Sequence, residues 1–156
     1  FIENREKIDE IIKACKTCFL AMSENGQPYV VPMNFALEDD TIILHSAPEG
    51  RMWETIKTNP KVCINWTLGE DLAWQHVKVG CSYRVKSKSV LVEGEVEFIE
   101  DFDEKYRCLK LIMAQYSDRE FEFGTPAVKN VGIFKVRIQK ITAKEFGTKP
   151  RIPGIS

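Results

Sequence analysis

An Asn-Gly pair between two β-type segments is the feature that most constrains how this chain folds. Asn25-Gly26 separates residues 18–23 from residues 29–37, and both segments are rich in apolar residues. This dipeptide is typical of two-residue hairpin turns, because asparagine and glycine both accept positive φ. An antiparallel hairpin is therefore predicted near the N-terminus. A second, acidic turn at residues 38–40 leads into a third strand, residues 41–45.

Three further β-type segments, residues 61–67, 83–98 and 131–142, bring the predicted strands to six. Helical spacing of apolar residues predicts helices over residues 3–16, over residues 50–58 and after the capping signal at Asp101. Residues 68–80 give no clear pattern and are expected to form a loop or irregular strand. We expect a mainly β fold with peripheral helices. The short hairpins favour an antiparallel barrel, although composition alone leaves an open α+β sandwich possible.

Two positions within the predicted strands are expected to interrupt regular pairing. Pro32 lies inside the second predicted strand and cannot donate to a ladder, so it predicts an edge, a bulge or a place where a ligand replaces the pairing. Gly94 predicts a bend or bulge in the long strand. The chain of 156 residues fits one domain, assigned to residues 1–147, with residues 148–156 as a C-terminal tail.

Composition excludes several classes of function. A net charge of −1 gives no electrostatic reason to expect a nucleic acid or an anionic membrane as partner. No apolar run approaches the roughly 20 residues of a spanning helix, and no secretory signal is visible. The five cysteines are an odd number in apolar contexts, and neither histidine has a partner at metal-ligand spacing. Reduced, buried thiols, no metal site and a cytoplasmic location are therefore expected.

Residues 45–51 combine groups that suit an anion. His45 and Ser46 end a predicted strand, and Gly50 and Arg51 begin the next predicted helix. The first turn of a helix has unpaired N–H groups and partial positive charge, and an arginine adds a fork of donors that matches phosphate oxygens. A strand-loop-helix unit with one arginine is nevertheless common. A helix start with a solvated arginine therefore remains the alternative interpretation of these residues.

Several segments together carry a family resemblance. They are Tyr29-Val30-Val31-Pro32-Met33-Asn34-Phe35, Leu44-His45-Ser46-Ala47, Gly50-Arg51-Met52, Asn59-Pro60, Cys81-Ser82-Tyr83-Arg84, Ser89-Val90 with Gly94, and Asp103-Glu104-Lys105. In this order and spacing the chain resembles the flavin-binding split-barrel family related to pyridoxamine 5'-phosphate oxidase. Within that family it is most similar to the 5-nitroimidazole-resistance (Nim) proteins. The similarity extends over roughly residues 8–147.

The resemblance implies a homodimer of six-stranded antiparallel split β-barrels that bind FMN at the subunit interface. By this likeness, the isoalloxazine edge would lie along the strand at Val31, Pro32, Met33 and Asn34. Ser46 and Arg51 would hold the phosphate, with His45, Ala47, Gly50 and Met52 around them, and Ser87 and Ser89 would approach the flavin from the other side. Met52 stands where family members commonly carry a basic residue, which leaves FAD as the alternative cofactor.

The resemblance also implies a function. A flavin carries the redox chemistry itself, so no catalytic triad, carboxylate pair or metal cluster is needed. We expect a flavin-binding oxidoreductase that reduces small aromatic or heterocyclic compounds, nitroimidazoles among them, with His45 as the candidate catalytic residue. The alternative is a non-catalytic protein that binds a flavin, haem or drug. Pyridoxamine 5'-phosphate oxidase activity itself is less expected, because the proline-flanked tail offers only Arg151 for a substrate phosphate.

Overall fold

The computed structural model describes residues 1–149 and Ile152, and these residues form one antiparallel sheet with helices around it. In the described part of the chain the strands are β1 (Cys18–Glu24), β2 (Gln27–Met33), β3 (Phe35–Glu38), β4 (Thr41–Ser46), β5 (Lys61–Ala73), β6 (Arg84–Ile99) and β7 (Gly132–Phe146). The helices are α1 (Arg5–Ala14), α2 (Arg51–Thr58), α3 (Phe102–Tyr116) and α4 (Thr125–Asn130), with a 3-10 helix at Gly80–Ser82.

Both predicted turns are present. Asn25 and Gly26 have φ of 50° and 79°, the left-handed values that a tight hairpin between β1 and β2 requires. Asp39, with φ of 51°, turns the chain from β3 into β4. The capping signal before α3 is also confirmed, because the Asp101 side chain accepts a hydrogen bond from the Glu104 N–H at 3.0 Å.

The sheet has seven strands among the described residues, so the prediction of six was wrong. Its order is β2-β1-β5-β6-β7-β4-β3, which places β2 and β3 at opposite edges although only Asn34 separates them in the chain. The segment predicted as one strand therefore changes edges at Asn34 and counts as two. Because consecutive strands end at opposite edges, the sheet must curl back on itself, as a split barrel does, without closing.

The strand pairing explains how the sheet accommodates Pro32 and Gly94. β2 pairs only with β1, so it is an edge strand, and Pro32 lies in it opposite Phe19. The edge location predicted for the proline is confirmed, although the strand runs through Pro32 and ends one residue later. The pairing of β6 with β7 shifts by one residue between Glu93 and Gly94, which confirms the irregularity predicted there.

Two apolar clusters hold the elements together. The larger cluster fills the inside of the curled sheet around Trp66, Phe35 and Phe134, and α1 packs on it. The smaller cluster lies on the other side of β3, β4 and β7, where Cys108 and Ile112 of α3 cover the sheet. Because β4 has a helix on one face and the barrel on the other, its residues 42–44 are all fully buried.

The remaining sequence predictions deviate locally. Residues 68–80 were expected to form a loop or irregular strand, and β5 continues to Ala73 with a shift in its pairing to β6 between Leu68 and Asp71, which confirms an irregular strand there. The helix α4 was not predicted. Cys15, Cys18 and Cys108 are buried as expected, whereas Cys81 is exposed. Of the predicted tail, 148–156, residues 150, 151 and 153–156 lie outside the described residues. None of the helices in the described ranges combines the length and apolar character needed to cross a membrane.

Candidate functional site

The turn between β4 and α2 has the backbone geometry of an open helix N-terminus. Gly50 is the N-cap of α2, with φ of 100° and ψ of 177°, and no side chain caps the helix. A side chain at Gly50 would be strained at this φ, although no neighbouring atom lies within 4 Å of where its Cβ would be. The first intrahelical bond runs from the Glu54 N–H to the Gly50 carbonyl. The N–H groups before Glu54 therefore have neither an intrahelical partner nor a capping side chain among the described residues, as an anion site requires.

Arg51 supplies a cation beside this helix start. Its guanidinium lies 3.9 Å from the centre of the Tyr29 ring on β2, a cation–π contact that holds the side chain across the barrel edge. Among the described residues no carboxylate lies within 4.0 Å of Arg51. The positive charge is therefore not neutralised inside the chain, and its hydrogen-bond donors can bind an anion. Tyr29 was missed in the sequence, because only the fold brings β2 to α2.

Trp53 packs α2 against β6 and β7. Its ring contacts Phe98 and Phe134 at centroid distances of 4.7 and 6.1 Å. A Cβ placed on Gly132 would come within 2.6 Å of the Trp53 ring, so only glycine permits this approach. Gly132 pairs with Ser46 at the end of β4. The Trp53–Gly132 contact therefore sets the distance between α2 and the strand that bears Ser46, and sequence reasoning did not find it.

His45 and Ser46 are neighbours in the chain, but their side chains point to opposite faces of β4. Ser46 shares its face with Leu44, toward the barrel interior and Trp53, and its Oγ donates to the Ala47 carbonyl at 2.8 Å. His45 shares its face with Ile43, which packs in the cluster beneath α3. The strand therefore does not bring these two predicted site residues together on one face.

His45 carries a buried polar atom that needs a partner. Its Nδ1 is buried and has no hydrogen-bond partner among the described residues. Burial lowers the pKa of His45 from its ordinary value, because removal from water disfavours the charged imidazolium. In the neutral imidazole Nδ1 can donate or accept one hydrogen bond, and the catalytic role of His45 stays a prediction.

The β2 segment presents its residues alternately to the two sides of the sheet. Val31 and Met33 pack toward the barrel core, whereas Pro32 and Asn34 are exposed. The Asn34 amide donates to the Lys16 carbonyl at 3.4 Å, which ties the point where the chain changes edges to the start of β1. Met52 also packs against the barrel core, so the residue after Arg51 contributes packing and no charge.

Ser87 and Ser89 lie on β6, away from α2. Ser89 accepts a hydrogen bond from Asn65 Nδ2 at 2.9 Å, and Asn65 Oδ1 accepts one from the Thr67 hydroxyl at 3.2 Å. These groups form a polar patch on the outer face of β5 and β6. Two strands separate β6 from β2, which places the patch about 14 Å from Pro32 at the usual strand spacing. One chain alone therefore does not bring the β6 serines to the β2 segment.

The chain is similar to proteins of one known family in sequence and in structure. The family model for pyridoxamine 5'-phosphate oxidase matches residues 4–145. A candidate 5-nitroimidazole antibiotic resistance protein from Bacteroides thetaiotaomicron VPI-5482 is 43% identical, with a TM-score of 0.84 over 92% of this chain and 85% of the other. The comparison with curated proteins found no match.

Two more distant structures share the fold. The flavocytochrome Anf3 from Azotobacter vinelandii has a TM-score of 0.81 at 19% identity, covering 94% of this chain and 69% of its own. The FAD and heme binding protein from Mycobacterium smegmatis has a TM-score of 0.83 at 14% identity, covering 94% and 73%. At these identities the likeness supports the architecture alone.

Proposed function

The chain belongs to the pyridoxamine 5'-phosphate oxidase family and has its flavin-binding type of fold, and we propose that it is a flavin-dependent reductase of small aromatic or heterocyclic compounds. Nitroimidazoles are the acceptor class that the 43% identical relative suggests. The bound flavin would supply the electron-transfer chemistry, and the residues of this chain would bind it, orient it and exclude water.

The proposal depends on one observation: Arg51, which has no carboxylate partner among the described residues, lies at a helix N-terminus that no side chain caps. A phosphate monoester matches both features, because it accepts hydrogen bonds from backbone N–H groups and from a guanidinium fork. We assign Ser46 to the same phosphate, since β4 ends beside the first turn of α2.

We propose that two copies of the chain complete the site. Phe19, Val30 and Leu91 are 45%, 58% and 39% exposed, and the strand register places them on one outer face of the sheet. An apolar sheet face of this kind is stabilised when a second copy covers it. Pairing of two such faces would let Ser87 and Ser89 of one copy approach the β2 segment of the other, which supports a flavin at the interface.

The cofactor we propose is FMN, with FAD as the alternative. FMN needs one phosphate site, and the Gly50–Arg51 turn offers one. Met52 adds no second cation to that site, because its side chain packs against the barrel core. The five free cysteines among the described residues are also consistent with a reducing compartment, and we propose a cytoplasmic location.

Two measurements test the reductase proposal. The visible spectrum of the purified protein, with identification of the released chromophore, should give a flavin near one equivalent per chain. Anaerobic reduction of that flavin, followed by addition of 2-nitroimidazole or a quinone, should give reoxidation and repeated turnover. A flavin that none of these acceptors reoxidises would contradict the reductase assignment while leaving the binding assignment intact.

The second candidate function is binding without turnover. It is supported by the fold that the chain shares with a protein named for FAD and heme binding. A Soret band, or stoichiometric protection of a drug without steady turnover, would favour it. Multiple turnovers per chain would exclude it.

A further inference from the structure

A cleft on the other side of α2 has the composition of an anion-binding site. It has a volume of about 580 Å³, within the range of small-molecule pockets, and lies between α2, the end of β6, α3, α4 and the start of β7. We propose that this cleft binds an aromatic carboxylate, with the carboxylate at Lys105 and the ring against Trp53 and Phe98. The cleft adjoins the proposed flavin site at Pro48 and Gly132, but its ligand would lie on the face of α2 opposite Arg51.

The helix geometry separates the two sites. Successive residues of an α-helix are about 100° apart, so Arg51 and Trp53 point to nearly opposite sides of α2. Arg51 lies over Tyr29 on β2, whereas Trp53 packs on Phe98 and Gly132. Lys57, one turn after Trp53, lines the cleft as well. The two sites thus share a helix, but they use different faces of it.

Lys105 is the central observation. It lines the cleft and is only 8% exposed, and its Nζ donates to the Lys129 carbonyl at 3.2 Å. Among the described residues no carboxylate lies within 4.0 Å of this ammonium. It is also the fourth residue of α3, near the positive end of the helix dipole. Its hydrogen-bond partner among the described residues is a neutral carbonyl, so an anion in the cleft would add the charged partner that this ammonium lacks.

The rest of the lining agrees with this chemistry. Lys57 and Lys129 add two more cations to the lining, against one carboxylate, Glu100, so the lining residues are net positive. Lys57 also has Glu54 at 3.9 Å outside the lining, so it is the weaker of these contributions. Trp53 and Phe98 provide an aromatic wall with their ring centres 4.7 Å apart. A ligand that combines a flat apolar body with one carboxylate satisfies both parts, since the ring replaces water on the wall and the anion pairs with Lys105.

The test uses 2-naphthoate as the carboxylate probe, with excess FMN present so that the flavin site is filled. Calorimetric titration measures its affinity, and amide and indole NMR shifts show where it binds. Neutral 2-naphthalenemethanol, which keeps the ring, and inorganic phosphate, which lacks it, are the ligand controls. Lys105→Met and Lys57→Met remove one cation each, and Lys110→Met removes an exposed lysine of the same helix outside the cleft.

We expect 2-naphthoate to shift the Gly132 amide and the Trp53 indole and to bind at least tenfold more tightly than either control ligand. Lys105→Met should weaken binding about tenfold or more, because a charge-assisted contact is lost. Lys57→Met should weaken it severalfold, and Lys110→Met should leave it unchanged. If Lys105→Met does not fold, the proposal is judged from the affinity of Lys57→Met for 2-naphthoate and from which NMR signals of the parent the probe shifts. Equal binding of the neutral ligand, markedly tighter binding of 2-naphthoate when FMN is left out, or no binding at millimolar probe would overturn the proposal.

Discussion

At the scale of single residues, Gly132 has the strictest packing requirement near the site. Gly132→Ala would place a methyl group 2.6 Å from the Trp53 ring and 3.1 Å from the Ser46 carbonyl oxygen. We expect it to lower the free energy of unfolding by about 2 kcal/mol, because the ring and α2 must shift. Urea denaturation measures this. Gly80→Ala, where no atom lies within 4 Å of the added Cβ, is the matched control, and an equal loss in both variants would contradict the account.

His45 predicts a pH dependence of stability. Burial lowers the pKa of His45 below its ordinary value near 6.5, so below that pH the unfolded chain binds more protons than the folded one. The free energy of unfolding should therefore fall as pH drops from about 6.5 toward the folded pKa. In His45→Gln this part of the decline should disappear, as measured by denaturation between pH 7.5 and 5. His76→Gln, which removes the exposed histidine, should retain it. An unchanged decline in His45→Gln would refute the prediction.

The site residues differ in how far sequence could reveal them. Gly50, Arg51 and Ser46 could be predicted as candidate phosphate ligands from the sequence, because a strand-helix junction brings residues that are close in the chain close together in space. Tyr29 and Gly132 contribute to the same region through contacts across 22 and 79–86 positions of sequence, which no local pattern records. The alternation of side chains along a strand already predicts that His45 and Ser46 point to opposite faces. The sequence analysis nevertheless grouped them in one site, because they are adjacent in the chain.

At the scale of elements, an ion network fastens α3 to the sheet. Arg107 binds Glu104 and Glu38 with closest distances of 2.7 Å each, and Lys135 of β7 also donates to Glu104. Hydrogen bonds from Arg107 and then Lys135 lower the pKa of Glu104 to about 2. Because the group is partly exposed, its contribution to stability is modest, about 1 kcal/mol.

Glu104→Gln should therefore reduce the free energy of unfolding by about 1 kcal/mol at pH 7. The loss should fade as pH falls from about 4.5 toward 2, because the wild-type carboxylate is then protonated and no longer stabilises the folded state. Denaturation curves at pH 7, 4 and 3 measure the difference. Asp103→Asn, in the same helical turn, separates the helix-dipole effect from the network. A loss that stays constant with pH would contradict this assignment.

The elements themselves were largely predictable, with understandable failures. Amphipathic spacing and caps identified α1, α2 and α3, and the turn residues identified β1 and β2. The division of residues 29–37 into β2 and β3 was missed, because it depends on which edges of the sheet the chain pairs with on either side of Asn34. The short α4 has one buried residue, Val128, so its sequence carries no helical period.

At the scale of the whole molecule, the outer sheet face predicts self-association. Phe19→Lys would put a charge in the middle of the face that also bears Val30 and Leu91, so we expect the proposed dimer to dissociate into monomers and flavin affinity to fall. Sedimentation velocity across a concentration series measures this. Ala114→Lys adds the same charge on the exposed surface of α3 and should remain dimeric. A wild-type protein that sediments as a monomer at all concentrations would contradict the dimer proposal.

The most direct test of the account is the affinity of Arg51→Ala for FMN. In the proposed site Arg51 makes a charge-assisted contact to the phosphate, so the dissociation constant of the variant should rise about 10- to 100-fold over that of the parent. Arg119→Ala removes an exposed arginine far from α2 in sequence and should match the parent. Equilibrium titration followed by flavin fluorescence gives all three constants. An Arg51→Ala variant that binds FMN as tightly as the parent would contradict the central claim that α2 begins at the flavin phosphate.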